Sequence, residues 1–246
     1  MNKNQLIGIT ETSDPAFHLE IFDKLYEANV IITKNLTNKL IEKLVEHKDK
    51  CILHLTVTGM GGTQIEPFVP TAEQSVKKFK KLIDAGFPVN HVVLRIDPIV
   101  PTEKGLTTAK NVLNLFSGLG IGRVKVSFLD MYQHVKERFK QAGVKQPYTT
   151  FHADVNTRLN AYAELQELAS QYGYNKVYTC GEPNIESAPC ISQEDIDILN
   201  LTDKIKLEGK KEQRTHCNCP ANKRQLITWE ASKTGCEHKC IYCYMK

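Results

Sequence analysis

The chain has 246 residues, 41% hydrophobic, 24% charged and 8% aromatic, proportions of a soluble globular protein that exclude a disordered, collagenous or mucin-like chain. Its net charge of +4 is too small to argue for a nucleic-acid partner, although residues 201–246 hold ten Lys and Arg against five Asp and Glu. No apolar run reaches the length of a membrane span and the N-terminus lacks a signal-peptide core, which implies a cytoplasmic protein with no membrane partner.

Short β-branched runs alternate with longer amphipathic stretches. Gln5 to Thr10 reads as a buried strand, and Phe17, Ile21, Phe22, Leu25 and Tyr26 predict a helix over 17–28. Val30 to Thr33 is the next strand, followed by a helix through Leu36, Leu40, Ile41 and Leu44. Ile52 to Thr58 alternates as a strand and runs into the Gly59–Gly62 loop. Thr71 and Gln74 form a capping box for a helix over 71–85, which Gly86 closes. Val92 to Ile96 is a strand ending at Asp97-Pro98, Leu106 to Phe116 a helix, and Val124 to Leu129 a strand. A helix carrying Val155, Leu159, Tyr162, Leu168 and Tyr172 precedes a short strand over Val177 to Cys180, and Leu226 to Glu230 is the last strand. Residues 201–224 are polar, basic and irregular, and are expected to wrap the surface.

This strand–helix order predicts an α/β protein with parallel strands, a complete or partial TIM-like (β/α) barrel in one domain over 1–246. In such sheets the reacting groups gather at the C-terminal strand ends. Here those ends carry Glu11 to Asp14, Thr33 to Asn35, Thr56 to Thr58, Arg95 and Asp97, Asp130, Cys180 to Glu182, and Cys236 onwards, nearly all polar or charged.

Eight cysteines in a chain without an export signal point to metal or redox chemistry. Residues 235–244 read Gly-Cys-Glu-His-Lys-Cys-Ile-Tyr-Cys-Tyr, a Cys236-x3-Cys240-x2-Cys243 loop. Three thiolates on a short loop can hold three irons of a cubane and leave the fourth open to a second ligand. The competing reading is a zinc knuckle drawn from Cys217, Cys219, Cys236, Cys240, Cys243, His216 and His238, although this spacing is uncommon for zinc.

The loop resembles that of radical S-adenosylmethionine (SAM) enzymes, and its Glu-His pair resembles the spore photoproduct lyase-like branch. In that family the loop normally opens the domain; here it lies at residues 236–243. Residues 9–15, 30–35, 65–70 and 97–101 then resemble, in order, the branch's later strand motifs, as in a circularly permuted barrel with its first strand and cluster loop at 225–246. A group of bacterial radical-SAM-like proteins has the same C-terminal cysteine arrangement.

The resemblance implies a [4Fe–4S] cluster on Cys236, Cys240 and Cys243. It places Tyr242 on the adenine of SAM and Ser13 and Lys34 on its methionyl end, the Lys34 ammonium being a natural partner for a carboxylate. Thr58 and Asp130 are candidates for the ribose. It further implies SAM cleavage to a 5′-deoxyadenosyl radical, hydrogen abstraction from an unidentified substrate, and a low-potential electron donor such as flavodoxin or ferredoxin. Glu11 occupies the position of the hydrogen-donating cysteine of photoproduct lyases, which argues against the same dimer reversal. Glu11 is read as an acid, a base or a contact for a cationic substrate, or else as a structural carboxylate. Arg95 and Asp97 share one strand face, as a substrate or SAM clamp or as a structural ion pair.

Cys180, Cys190, Cys217 and Cys219 suffice for an auxiliary [4Fe–4S] cluster or one zinc, with iron–sulfur slightly ahead, and Cys51 is a core thiol. The basic residues Lys204, Lys206, Lys210, Lys211, Arg214, Lys223 and Arg224 either attract a phosphate-bearing substrate or nucleic acid, offset thiolate charge, or are simply solvated. Two further readings stand beside the radical enzyme of unidentified substrate: a zinc-stabilised, non-enzymatic nucleic-acid-binding barrel, and a nucleobase repair or modification enzyme of the same radical class.

Overall fold

The computed structural model describes residues 5–210 and 216–245. Seven strands, β1 (Ile7–Ile9), β2 (Ala28–Thr33), β3 (Cys51–Thr56), β4 (Val92–Ile99), β5 (Arg123–Phe128), β6 (Lys176–Thr179) and β7 (Lys223–Gln225), form one sheet in the order β6-β5-β4-β3-β2-β1-β7. Every pairing is parallel. The two edge strands do not meet, so the sheet is a partial TIM-like barrel. The last strand in sequence lies beside the first, with Ile7 opposite Lys223 and Ile9 opposite Gln225.

Nearly consecutive strand order with crossovers of one hand sends the helices to one face of a sheet. Here α1 (Asn38–Glu46), α2 (Ala72–Asp84), α3 (Glu103–Phe116) and α5 (Val155–Gln171) bury Leu40, Leu44, Phe79, Leu113, Phe116 and Leu165 against Ile31, Leu53, Leu55, Leu94, Ile96, Val124 and Val126. The expected Thr71 capping box is formed, with Thr71 Oγ1 accepting from Gln74 N and Gln74 Oε1 from Thr71 N.

The alternate residues face the concave side. The apolar residues Ile7, Ile9, Ala28, Val30, Ile52 and Val93 are covered there by Ile191, Ile196, Leu199, Leu201 and Ile205. Polar and charged residues share this face, Thr56, Arg95 and Lys125 toward the C-terminal strand ends and His54, Arg123 and Lys223 level with the apolar residues. The segment after β6, including α6 (Gln193–Ile198), therefore straps across the concave face where a closed barrel would be filled by its own strands.

Several expectations need correction. Residues 17–28 form no α-helix. Two 3-10 turns, Pro15–Phe17 and Leu19–Lys24, take their place, and Asn29 then draws the chain into β2 by accepting from Tyr26 N and donating to Tyr26 O. The last strand is Lys223–Gln225 rather than 226–230, because the Thr228 hydroxyl accepts from Ala231 N and caps α7 (Trp229–Gly235). The helices α4 (Gln133–Gln141) and α6 were not anticipated. The segment 201–224 is not a plain surface wrap: Leu201, Ile205, Cys217, Cys219 and Lys223 are buried. Lys211 and Arg214 lie outside the described residues. No described helix is long and apolar enough to cross a membrane.

Phe116 is fully buried and lies 5.8 Å from Phe79, ring centre to ring centre. Phe116→Ala is expected to destabilise the fold by about 3–5 kcal/mol, seen as a lower urea midpoint with an unchanged denaturant slope.

Candidate functional site

Because all strands are parallel, their C-terminal ends form one rim. The loop 236–245 lies on that rim and is tied to four separate elements. His238 Nε2 is 2.8 Å from Asp14 Oδ2 and its Nδ1 is 3.2 Å from Phe68 O, which commits both ring nitrogens. Ile241 N donates to Ile65 O at 3.1 Å. Arg138 of α4 donates to the carbonyls of Cys243 and Met245 at 2.6 and 2.9 Å. The Tyr244 hydroxyl accepts from Asp130 N at 2.9 Å.

Asp14 anchors the loop from within. Besides meeting His238 it accepts from the Thr33 hydroxyl and from Lys34 N, both at 2.7 Å. Burial pushes its pKa up, but His238, the Lys34 amide and Thr33 outweigh burial and hold the carboxyl below its ordinary value.

Beside the loop a second node forms around Glu66, whose exposure is 0%. It accepts from Lys34 Nζ at 3.0 Å, from the Thr58 hydroxyl at 2.5 Å and from the Tyr242 hydroxyl. Burial alone raises the Glu66 pKa; Lys34, Thr58 and Tyr242 reverse this and keep it ionised. Burial depresses Lys34, but Glu66 and Cys240 raise it further, so it stays an ammonium, 5.4 Å from the Tyr242 ring centre. Tyr242 is pushed well above its usual value by burial and by Glu66, so it remains a neutral donor.

The three loop cysteines share this neighbourhood. Cys243 acts electrostatically on both Cys236 and Cys240, and Lys34 on Cys240. Burial pushes Cys240 up to about 12. Their sulfurs are not gathered within 4.8 Å of one another; among the described residues only Glu11, Cys190 and Cys219 form such a trio. Three thiols on an anchored loop, spread wider than one ion requires and with the adjacent histidine engaged elsewhere, fit a site-differentiated cubane.

A cavity of about 490 Å³ opens next to the loop, lined among others by Glu11, Arg95, Asp97, Cys190, Trp229 and Tyr244. Arg95 Nε donates to Asp97 Oδ2 at 2.8 Å, so the two form an ion pair within the cavity wall. Glu11 accepts from Gln225 Nε2 at 2.7 Å and Lys223 Nζ at 3.2 Å. Burial, and then Cys190, raise its pKa against the pull of Lys223.

Most of the predicted residues thus converge. Lys34, Thr58 and Tyr242 meet on Glu66, and Glu11, Arg95, Asp97, Cys180, Cys190 and Cys217 line one cavity. Two have other side-chain partners, although the Asp130 amide also meets Tyr244 of the loop. The Ser13 hydroxyl meets His18 Nε2 at 3.1 Å, and Asp130 Oδ1 meets His152 Nδ1 at 2.8 Å. Of the basic set, Lys223 is buried against Glu11 and Arg224 donates to the carbonyls of Ala221 and Lys223; Lys204, Lys206 and Lys210 are exposed. Cys51 is a fully buried core thiol, pushed up to about 12 by burial. Glu66 was not singled out in the sequence, Asp14 only as part of a strand end and His238 only as a candidate zinc ligand, although signals existed in Glu66-Pro67 and in the place of His238 between Cys236 and Cys240.

The fold and site together define a parallel α/β protein with two groups of thiols at and beneath its C-terminal rim. Residues 13–245 match the model of the family described as "Domain of unknown function (DUF1848)", and the chain belongs to that family. No curated protein matches it. Among solved structures, a lysine/ornithine decarboxylase complexed with cadaverine from Vibrio vulnificus is similar at 11% identity and a TM-score of 0.38, over 62% of this chain and 39% of that one. A GH128 (subgroup VI) exo-beta-1,3-glucanase from Aureobasidium namibiae is similar at 11% identity and a TM-score of 0.26, over 79% of this chain and 90% of that one.

The depressed Asp14 pKa gives a pH test. A carboxyl lower in the folded than in the unfolded state adds stability that is fully present above the unfolded value, about 4, and is lost as pH falls through the folded value. Asp14→Asn is expected to cost roughly 1–3 kcal/mol at pH 6 and to flatten the acid limb, as read from urea midpoints between about pH 6 and pH 3.

Proposed function

We propose that the chain is a radical SAM enzyme on a circularly permuted partial barrel. The observation that carries this reading is the Cys236–Cys243 loop anchored on the C-terminal rim, beside the buried Lys34–Glu66–Tyr242 node and at the mouth of the cavity. Cys236, Cys240 and Cys243 would hold a [4Fe–4S] cluster, and the position of β7 beside β1 supports the permutation. When bound, the cluster would supply one electron to SAM, whose sulfonium then separates into methionine and a 5′-deoxyadenosyl radical.

The chain's own residues have definite tasks in this reading. Lys34 stays charged and offers its ammonium to the SAM carboxylate, while Glu66 stays ionised and offers an acceptor to its amino group. Tyr242 presents an aromatic face next to the loop, and Thr58 fixes Glu66. The Asp14–His238 and Arg138 contacts hold the loop in place so that the thiolates keep their spacing. The cavity receives the substrate, where the Arg95–Asp97 pair and Glu11 supply charge for orientation. An electron donor of the flavodoxin or ferredoxin kind would reduce the cluster.

The test is made on protein purified and reconstituted without oxygen. Iron bound through the loop, about four atoms per chain, and a reduced EPR signal that changes on adding SAM are the expected results. Cys236→Ala, Cys240→Ala and Cys243→Ala together abolish both. Lys34→Ala keeps the iron but weakens SAM binding about tenfold or more, the loss of a charge-assisted hydrogen bond. A loop that binds no iron, or a spectrum indifferent to SAM, would overturn the reading.

A further inference from the structure

Besides the core thiol Cys51, four cysteines lie outside the rim loop, in three stretches of the strap. Cys180 follows β6, Cys190 lies in the loop before α6, and Cys217 and Cys219 precede β7. All four are buried, and none is in a disulfide. The sulfurs of Cys180 and Cys190 are 3.5 Å apart. Cys219 Sγ contacts the thiols of both Cys190 and Cys217, and accepts from Cys190 N at 3.2 Å, an amide-to-sulfur bond of the kind that supports a metal-bound thiolate.

The surrounding charge is unusual for a protein interior. Arg95 of β4 and Lys125 of β5 are register partners, and both side chains enter the concave face. Like charges opposed on neighbouring strands repel. Asp97 balances Arg95 and Glu11 balances Lys223, but among the described residues no carboxylate lies within ion-pair distance of Lys125. Its ammonium donates to the Pro189 carbonyl, next to Cys190. A buried cation without a counter-charge is costly. Arg95 reaches to 3.8 Å from Cys190 Sγ, so the negative charge this cluster of cations needs belongs at the cysteines. Neutral thiols or disulfides would not provide it.

The thiols follow one another, Cys180 meeting Cys190, Cys190 meeting Cys219 and Cys219 meeting Cys217, with the Glu11 carboxylate close to the sulfurs of Cys190 and Cys219. Zinc with four thiolates at about 2.3 Å places neighbouring sulfurs about 3.8 Å apart, close to the Cys180–Cys190 separation. A cubane interposes irons and sulfides between its thiolates and spreads them wider. We propose that Cys180, Cys190, Cys217 and Cys219 bind one zinc ion, which staples the strap across the concave face and forms the floor of the cavity. A zinc ion with four thiolates carries a net charge of −2, and Arg95, Lys125 and Lys223 surround it. The site holds together parts of the chain that the open sheet cannot join by strand pairing.

The proposal is independent of the radical reading, since the two sets of cysteines can be removed separately. The experiment uses the full chain carrying Cys236→Ser, Cys240→Ser and Cys243→Ser, with zinc and iron measured by elemental mass spectrometry. About one zinc and no iron per chain is expected, and adding Cys190→Ser and Cys219→Ser removes the zinc. Retention of about four irons, zinc-free folded protein with four titratable thiols, or a Cys180–Cys190 disulfide found by peptide mapping would each overturn it. If the variant does not fold, zinc-edge X-ray absorption on the unsubstituted chain decides: four sulfurs at about 2.3 Å support the site, and absence of zinc or a nitrogen- or oxygen-rich shell sinks it.

Discussion

Seven parallel strands in nearly consecutive order leave one face of the sheet without helices, and the rest of the molecule follows from how that concave face is filled. A closed barrel fills it with its own side chains. This sheet stays open between β6 and β7, so the filling comes from the chain itself, through residues 180–210 and 216–222. Its apolar residues cover Ile7, Ile9, Val30 and Ile52. Charged side chains share the face.

Those side chains set the electrostatics of the concave face. Arg95, Arg123, Lys125 and Lys223 enter a desolvated space, where opposite charges interact far more strongly than in water. Arg123 is met by Asp195 at 2.6 Å, which ties α6 to β5, and Arg95 and Lys223 are met by Asp97 and Glu11. Near the mouth Lys34 and Glu66 form the same kind of buried pair, with two hydroxyls satisfying the remaining acceptor positions of the carboxylate. Such pairs contribute little net stability, but removing one partner strands the other. They hold charged groups at fixed positions on the concave face and at its rim.

The anchoring of the rim loop shows how little of it is local. Residues 236–245 have no regular structure to stiffen them, and the loop is held by Asp14, Ile65, Phe68 and Arg138, which lie 100 to more than 200 positions away in sequence. A short loop carrying three thiols can keep a defined spacing only with such outside support, as second-shell contacts do for metal ligands generally.

The sequence by itself determined the elements whose causes are local. The run over Val124 to Leu129 marked a strand, Thr71 and Gln74 marked a helix start, and the Cys236-x3-Cys240-x2-Cys243 spacing marked the thiol loop. It misread residues 17–28 because apolar spacing alone does not distinguish an α-helix from successive 3-10 turns, and it took 226–230 for a strand because β-branched residues there outweighed the capping signal of Thr228. Only the tertiary structure decided which distant groups meet. Glu66 becomes an acceptor for Lys34, Thr58 and Tyr242 because the ends of β2 and β3, the loop after β3 and the 236–245 loop converge on one buried point. The Arg95–Lys125 opposition exists only once β4 and β5 are in register. Burial and register are properties of the assembled sheet, and no residue carries them in its own neighbourhood of sequence.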